Sequence, residues 1–318
     1  MRVALFGYGS AGEPLHARLI AATSGLELAA IVTRDPERRE RARQAHPDAQ
    51  ILDSAEDVWQ RADSLDLVVV ATPNRAHAPL AITALEHGLG VVVEKPFAVT
   101  TADARAVVAL AWDRDRLVTV FQNRRWDGDF LTVRRLVKEG ELGDVFRFES
   151  RIERWVPEIA AGWRELADPA EGGGVLYDLG SHQIDQAQQL FSRVESVYAE
   201  VGLRRAGARI DDDVFVALTH ESGVHSHLWM SLNAPQPGPR FRVLGRKAAF
   251  VSPGLVGTEG DLQQIPPRPD EHESFYNGVV AALRGEAPPP VDPEEAIAGL
   301  EVIEAAQESA REGRVVKL

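Results

Sequence analysis

From residue 1 to about residue 120 the chain alternates short apolar runs with amphipathic ones. Arg2–Phe6, Glu27–Val32, 67–71, 90–93 and 117–121 read as strands. Val68-Val69-Val70 and Val91-Val92-Val93 are unbroken β-branched runs, as expected for parallel strands covered on both faces. Helical spacing fills the gaps, as at 78–86, which stops at His87-Gly88 because glycine accepts the backbone conformation that ends a helix. Strand and helix in alternation predict an α/β domain with a doubly wound parallel sheet and right-handed connections.

After Phe121 the rhythm changes. A helix at 129–138 stops at Gly140, and Val145–Glu153 reads as a long strand. Gly172-Gly173-Gly174 forms a loop, and an amphipathic helix follows over 178–191. Strand-like runs at 194–203, 214–220, 224–232 and 241–244, joined by turns such as Glu221-Ser222-Gly223, predict a largely antiparallel sheet. Proline-rich links and two helices, 271–284 and Pro293–Glu312, close the chain. Two domains are expected, 1–121 and 122–318, with the closing helices free to return to the first. The 214–218 run is apolar at both parities, more than a one-sided sheet requires, which predicts self-association through that sheet.

Composition narrows the partners. With 35 basic and 48 acidic residues among 318, the net charge is −13, which disfavours nucleic acid and anionic membranes but allows a local basic pocket for a small anion. The absence of cysteine excludes disulfides, a thiolate nucleophile and cysteine-ligated metal. The N-terminus enters a strand pattern at once, and no apolar run approaches the ~18 residues needed to span a bilayer, so a soluble cytoplasmic protein is expected.

Gly7-Tyr8-Gly9-Ser10-Ala11-Gly12 follows a strand and opens a helical run, the context a dinucleotide fingerprint requires. Its glycines permit a tight turn, and the helix N-terminus offers N–H groups to a pyrophosphate. At the end of the second strand, Thr33-Arg34 stands where NAD-binding chains place an acidic ribose ligand, and Arg38 follows. The guanidinium donors suit a ribose 2′-phosphate and favour NADP over NAD, with a solvated basic helix start as the alternative. Thr72-Pro73-Asn74 and His77 lie beyond another strand, as cofactor contacts or as ordinary turn residues. Glu94-Lys95-Pro96 ends a further strand. There Lys95 can donate to a substrate oxygen and stabilise an alkoxide, while Glu94 has a structural ion pair as its bland reading. Asp178 and His182 are four apart, one turn on a helix face, and the histidine is suited to proton transfer near neutral pH. A helix-capping aspartate with a surface histidine fits the same two residues. His225 and His227 share a strand face, but no third ligand is suitably spaced, so no metal is expected. Trp163 is a candidate wall for a sugar, or a core residue.

Together these motifs resemble the Gfo/Idh/MocA family of NAD(P)-dependent oxidoreductases. The likeness rests on the N-terminal fingerprint, Glu94-Lys95-Pro96, and the glycine loop running into Asp178 and His182. Phe121-Gln122-Asn123-Arg124-Arg125-Trp126-Asp127 and the stretch from Tyr177 to Gln186 are similar to the branch containing NADP-dependent scyllo-inositol dehydrogenases. The resemblance implies a Rossmann domain followed by an α+β domain on an open, mostly antiparallel sheet, assembled as a dimer or tetramer. It implies Lys95, Asp178 and His182 as catalytic residues, with Asn123 and Trp163 joining them around a sugar or cyclitol. Glu94 and Lys95 then also border the cofactor. A ketosugar or biliverdin-like reductase would use the same site. A non-catalytic NADP-binding regulator would have no need of the Lys95 and His182 pair.

Overall fold

The computed structural model describes residues 1–166, 168 and 171–318. Strands β1 (Arg2–Phe6), β2 (Glu27–Val32), β3 (Gln50–Leu52), β4 (Leu67–Val70), β5 (Gly90–Glu94) and β6 (Val118–Phe121) form a parallel sheet in the order β3-β2-β1-β4-β5-β6. The valine runs of β4 and β5 pair with each other and are fully buried, which is why they carry no polar alternation. The chain winds outward from β1 in both directions, so β1 and β4 are neighbours with diverging connections. Their C-terminal ends make the crevice where ligands bind in such sheets. Five of the six strands are legible as apolar runs. β3 is not, because it is a three-residue edge strand with an exposed glutamine and two half-buried apolar residues.

This sheet belongs to a unit comprising Met1–Gln122 and His272–Ile297. Within it the helix Glu273–Leu283 packs on Arg18–Ala22, and the Thr119 hydroxyl donates to the Val291 carbonyl at 2.8 Å. The helix Pro36–Ala45 buries only Ala42. It is set by its start instead, with proline in the first turn and the Asp35 carboxylate accepting from Arg38 N at 2.9 Å.

The second unit comprises Asn123–Glu271 and Ala298–Leu318. Its sheet joins β7 (Val145–Glu153), β8 (Val194–Gly202), β9 (Asp213–His220), β10 (His225–Ser231), β11 (Phe241–Gly245), β12 (Ala248–Val251), β13 (Gly254–Gly257), β14 (Leu262–Gln264) and β15 (Val316–Lys317). The order is β14-β13-β12-β11-β7-β10-β9-β8-β15, antiparallel except where β10 runs parallel to β7. On β9, Val214, Val216, Leu218 and His220 are buried, while Phe215, Ala217 and Thr219 are half-exposed. The helix Ser181–Phe191 lies against the sheet, where Gln183 Nε2 donates to Ser150 Oγ at 3.0 Å. The outward-pointing residues form a band in which Phe215 lies 5.2 Å from Trp229, and the Arg151 guanidinium lies 3.9 Å above the Trp229 ring. No helix among the described residues is long and apolar enough to cross a membrane.

Candidate active site

The glycine turn is dictated by close approach. Gly7 adopts φ +93° with its N–H donated to the Val32 carbonyl, and a Cβ there would fall 2.3 Å from the Ala71 oxygen. At Gly12 a Cβ would fall 2.1 Å from the Gly7 oxygen. Gly9 instead faces the Arg38 guanidinium, 3.3 Å from its Cβ position. Ser10 is exposed and Ala11 half-buried, at the opening of the helix Gly12–Ala17.

Beside this turn lies a cavity of about 480 Å³, lined by Tyr8, Thr33, Arg34, Arg38, Ser54 and Thr72 among others. Pro73 also lines it. The Thr72 hydroxyl is buried with no protein partner, a polar atom that a ligand would satisfy. Together with the glycine cradle, this wall fits a dinucleotide. Arg34 is exposed and anchored by Nε to the Asp53 carbonyl at 3.2 Å. Tyr8 is buried, its ring edge-on to His46, and burial with the nearby Glu13 pushes its hydroxyl pKa up. Asp53, Ser54 and Ala55 were invisible as pocket residues because they follow the unrecognised strand β3. Arg39 donates to the Asp53 carboxylate and, at 3.3 Å, to the Thr33 carbonyl.

Two expected cofactor side chains turn inward. His77 is 1% exposed, with Nδ1 2.8 Å from the Pro96 carbonyl and Nε2 3.0 Å from the Thr72 carbonyl. It lies between two loops with a backbone carbonyl facing each ring nitrogen, and in its neutral form it donates to one of them. Burial pushes its pKa down. Glu94 is also buried and faces His16. Burial opposes its ionisation, yet His16, Lys95 and His77 together hold its carboxyl below the usual value. The side chains of both residues thus face groups within the protein. Lys95 follows as a half-buried residue past the strand end, and Asn74 is buried at the start of its turn.

In the second unit, Gly174 adopts φ +82° where a Cβ would meet Asp211 Oδ1 at 2.1 Å. Asp211 Oδ2 accepts from Leu176 N at 2.8 Å, capping the wide π-type turn Leu176–Gly180 that precedes Ser181–Phe191. Burial pushes the Asp211 carboxyl up to about 6, with the Leu176 N–H bond acting in the other direction. Asp178 lies in the wide turn, so the regular α-helical spacing expected between it and His182 is altered at its first member. Its carboxylate pairs with Arg164 Nε at 3.6 Å, a partner 14 residues upstream that no local spacing reveals. Arg164 also lies 4.7 Å from the centre of the Trp163 ring. His182 is 5% exposed, one residue into the helix.

That helix is anchored one turn later. Asp185 takes a buried two-pronged ion pair from Arg125 at 2.6 and 2.9 Å, and Gln186 Nε2 donates to the Arg124 carbonyl at 2.9 Å. Both partners lie in the turn Asn123–Trp126, so the half-buried Asn123 starts the segment that holds the His182 helix. His225 and His227 sit on the outward side of β10, and no cluster of three metal-ligating side chains occurs among the described residues.

Comparison with known proteins identifies the architecture. Residues 1–122 match the description "Oxidoreductase family, NAD-binding Rossmann fold", and residues 130–251 match "GFO/IDH/MocA C-terminal domain". The chain is 35% identical to the uncharacterized oxidoreductase YdgJ of Escherichia coli, over 98% of this chain and 96% of that one. It is 29% identical to the NADP(+) scyllo-inositol 2-dehydrogenase IolW of Bacillus subtilis, over 100% and 96%. A crystal structure of an NAD-binding protein from Listeria innocua superposes with a TM-score of 0.92 at 32% identity, covering 99% of this chain and 96% of that one. With both halves of the fold matched, the chain belongs to the GFO/IDH/MocA family of oxidoreductases.

Proposed function

We propose that this oxidoreductase uses NADP(H) to interconvert a secondary alcohol and a ketone on a sugar or cyclitol. The observation that carries the cofactor assignment is the pocket wall: Arg34 and Arg38 line it, and the acidic group beside them, Asp53, is already engaged by Arg39. The likeness to IolW, whose name specifies NADP(+) and scyllo-inositol, supports the same reading. The helix opening at Gly12 would hold the pyrophosphate, and Arg34 with Arg38 the 2′-phosphate. Bound NADP⁺ supplies the hydride acceptor.

The chain's own groups handle the oxygen and the proton. Lys95 would donate a hydrogen bond to the substrate hydroxyl and stabilise negative charge on it as oxidation proceeds. His182 would accept the hydroxyl proton. The carbon–oxygen double bond closes as the carbinol carbon gives up hydride, and in reduction His182 returns the proton. Asp178, paired with Arg164, would border the site as an orienting carboxylate. Asn123 and Trp163 would complete the substrate wall.

We assign the outer face of the second unit's sheet, with Phe215 and Trp229, to self-association as a dimer or tetramer. A panel of inositols and aldoses supplied with NADP⁺ tests the enzymatic reading. Growth of the reduced nicotinamide absorbance with at least one cyclitol or sugar is expected. Tight NADPH binding without turnover of any member would instead indicate a cofactor-binding regulator.

A further inference from the structure

Lys95 is flanked on both sides by residues that buried histidines hold. On one side, His77 sits between the Pro96 carbonyl, 2.8 Å from Nδ1, and the Thr72 carbonyl, 3.0 Å from Nε2. On the other, His16 faces Glu94, with Nε2 3.5 Å from Oε1. His16 is fully buried on the helix that the glycine turn opens, and its Nδ1 lies 2.6 Å from Tyr276 Oη. Phe121 covers the imidazole at 4.3 Å between ring centres.

The polarity of this chain of groups follows from chemistry. Burial and the neighbouring Glu94 keep the Tyr276 hydroxyl protonated, so it can donate to Nδ1. That tautomer directs the Nε2 hydrogen at the Glu94 carboxylate, whereas the other would set a lone pair against it. At 3.5 Å the last link is longer than a hydrogen bond, and Nε2 has no other partner. A shift of roughly half an ångström would close it. Burying a phenol, an imidazole and a carboxylate together is costly compared with apolar packing. The arrangement places the helix opened by the glycine turn, through His16, within reach of the residue that precedes Lys95.

We propose that His16 is a positioning residue that couples occupation of the dinucleotide site to the placement of the Lys95 ammonium. The proposal rests on the reading of Lys95 as the group that meets the substrate oxygen. His16→Leu removes both polar links while filling the space. His16→Gln keeps an acceptor for Tyr276 and a donor towards Glu94. Each full-length variant is treated with pyridoxal 5′-phosphate and borohydride, with and without NADPH, and the labelling of Lys95 is read by peptide mass spectrometry. NADPH affinity is measured by fluorescence, and turnover with scyllo-inositol is measured alongside.

NADPH is expected to protect Lys95 in the wild-type chain and in His16→Gln. In His16→Leu that protection is lost at NADPH saturation and turnover falls at least tenfold, while NADPH affinity changes by less than threefold. Tyr276→Phe, which removes only the hydroxyl, shows the same loss at smaller size and serves if the leucine variant does not fold. A folded His16→Leu chain with wild-type protection and turnover overturns the proposal, as does unchanged protection in Tyr276→Phe. Absence of polyol turnover in the wild type counts against the enzymatic reading alone, because the labelling arm still decides the role of His16.

Discussion

Arg39 holds the Asp53 carboxylate and the Thr33 carbonyl at once, joining the ends of strands β2 and β3 beside the nucleotide pocket. Asp53 alone would repel a 2′-phosphate. Arg39→Ala is therefore expected to weaken NADP⁺ binding and spare NAD⁺, and adding Asp53→Ala should restore much of the loss. A double-mutant cycle on the two affinities checks this, and strictly additive effects would count against the neutralising role.

Arg34 is expected to contribute more. A charge-assisted hydrogen bond is worth ~1.5–3 kcal/mol, or about ten- to a hundredfold in affinity. Arg34→Ala should weaken NADP⁺ by that factor and leave NAD⁺ almost unchanged, as read by titration of both cofactors. Equal losses would mean that Arg34 packs on the adenine instead.

For His182→Ala, the expected result is turnover lower by ~10²–10⁴-fold with little change in NADPH affinity. Steady-state rates and fluorescence titration separate the two quantities. Wild-type turnover in the folded variant would remove His182 from the proton path.

Much of this was legible in the sequence, because several key residues form local motifs. The glycine turn, Lys95 at the end of a valine strand and the loop before Asp178 are each contiguous patterns. The partners of those residues are not local. Asp211 lies 35 residues from Leu176, and Tyr276 lies 260 from His16. Only the folded chain brings them together. Strands β12 to β15 were unrecognised for a related reason. They are short, two to four residues each, and paired register rather than apolar alternation defines them.

Asp211 predicts a pH dependence. Its folded-state carboxyl, at about 6 against an ordinary 3.8, binds its proton more tightly than in the unfolded chain. Its contribution to stability is thus present below the unfolded value and is lost as pH rises through about 6, to the extent of ~3 kcal/mol at ~1.4 kcal/mol per decade. Asp211→Asn keeps an acceptor for Leu176 N and removes the charge. The variant should gain stability relative to wild type between pH 4 and 7, as followed by thermal melting. Parallel melting curves across that range would refute the assignment.

The outer sheet face supplies a fifth test. Trp229→Glu places a charge beside Phe215 in this half-exposed band and should reduce the mass seen by light scattering to that of one chain. A single-chain mass for the wild-type protein at micromolar concentration would remove self-association from the account.

The most direct test of the central claim is a crystal structure with NADP⁺ and a reactive cyclitol bound. The account predicts the 2′-phosphate within hydrogen-bond reach of Arg34, and one substrate hydroxyl shared by the Lys95 ammonium and the His182 ring. A phosphate bound away from Arg34, or a hydroxyl that Lys95 and His182 do not share, would contradict it.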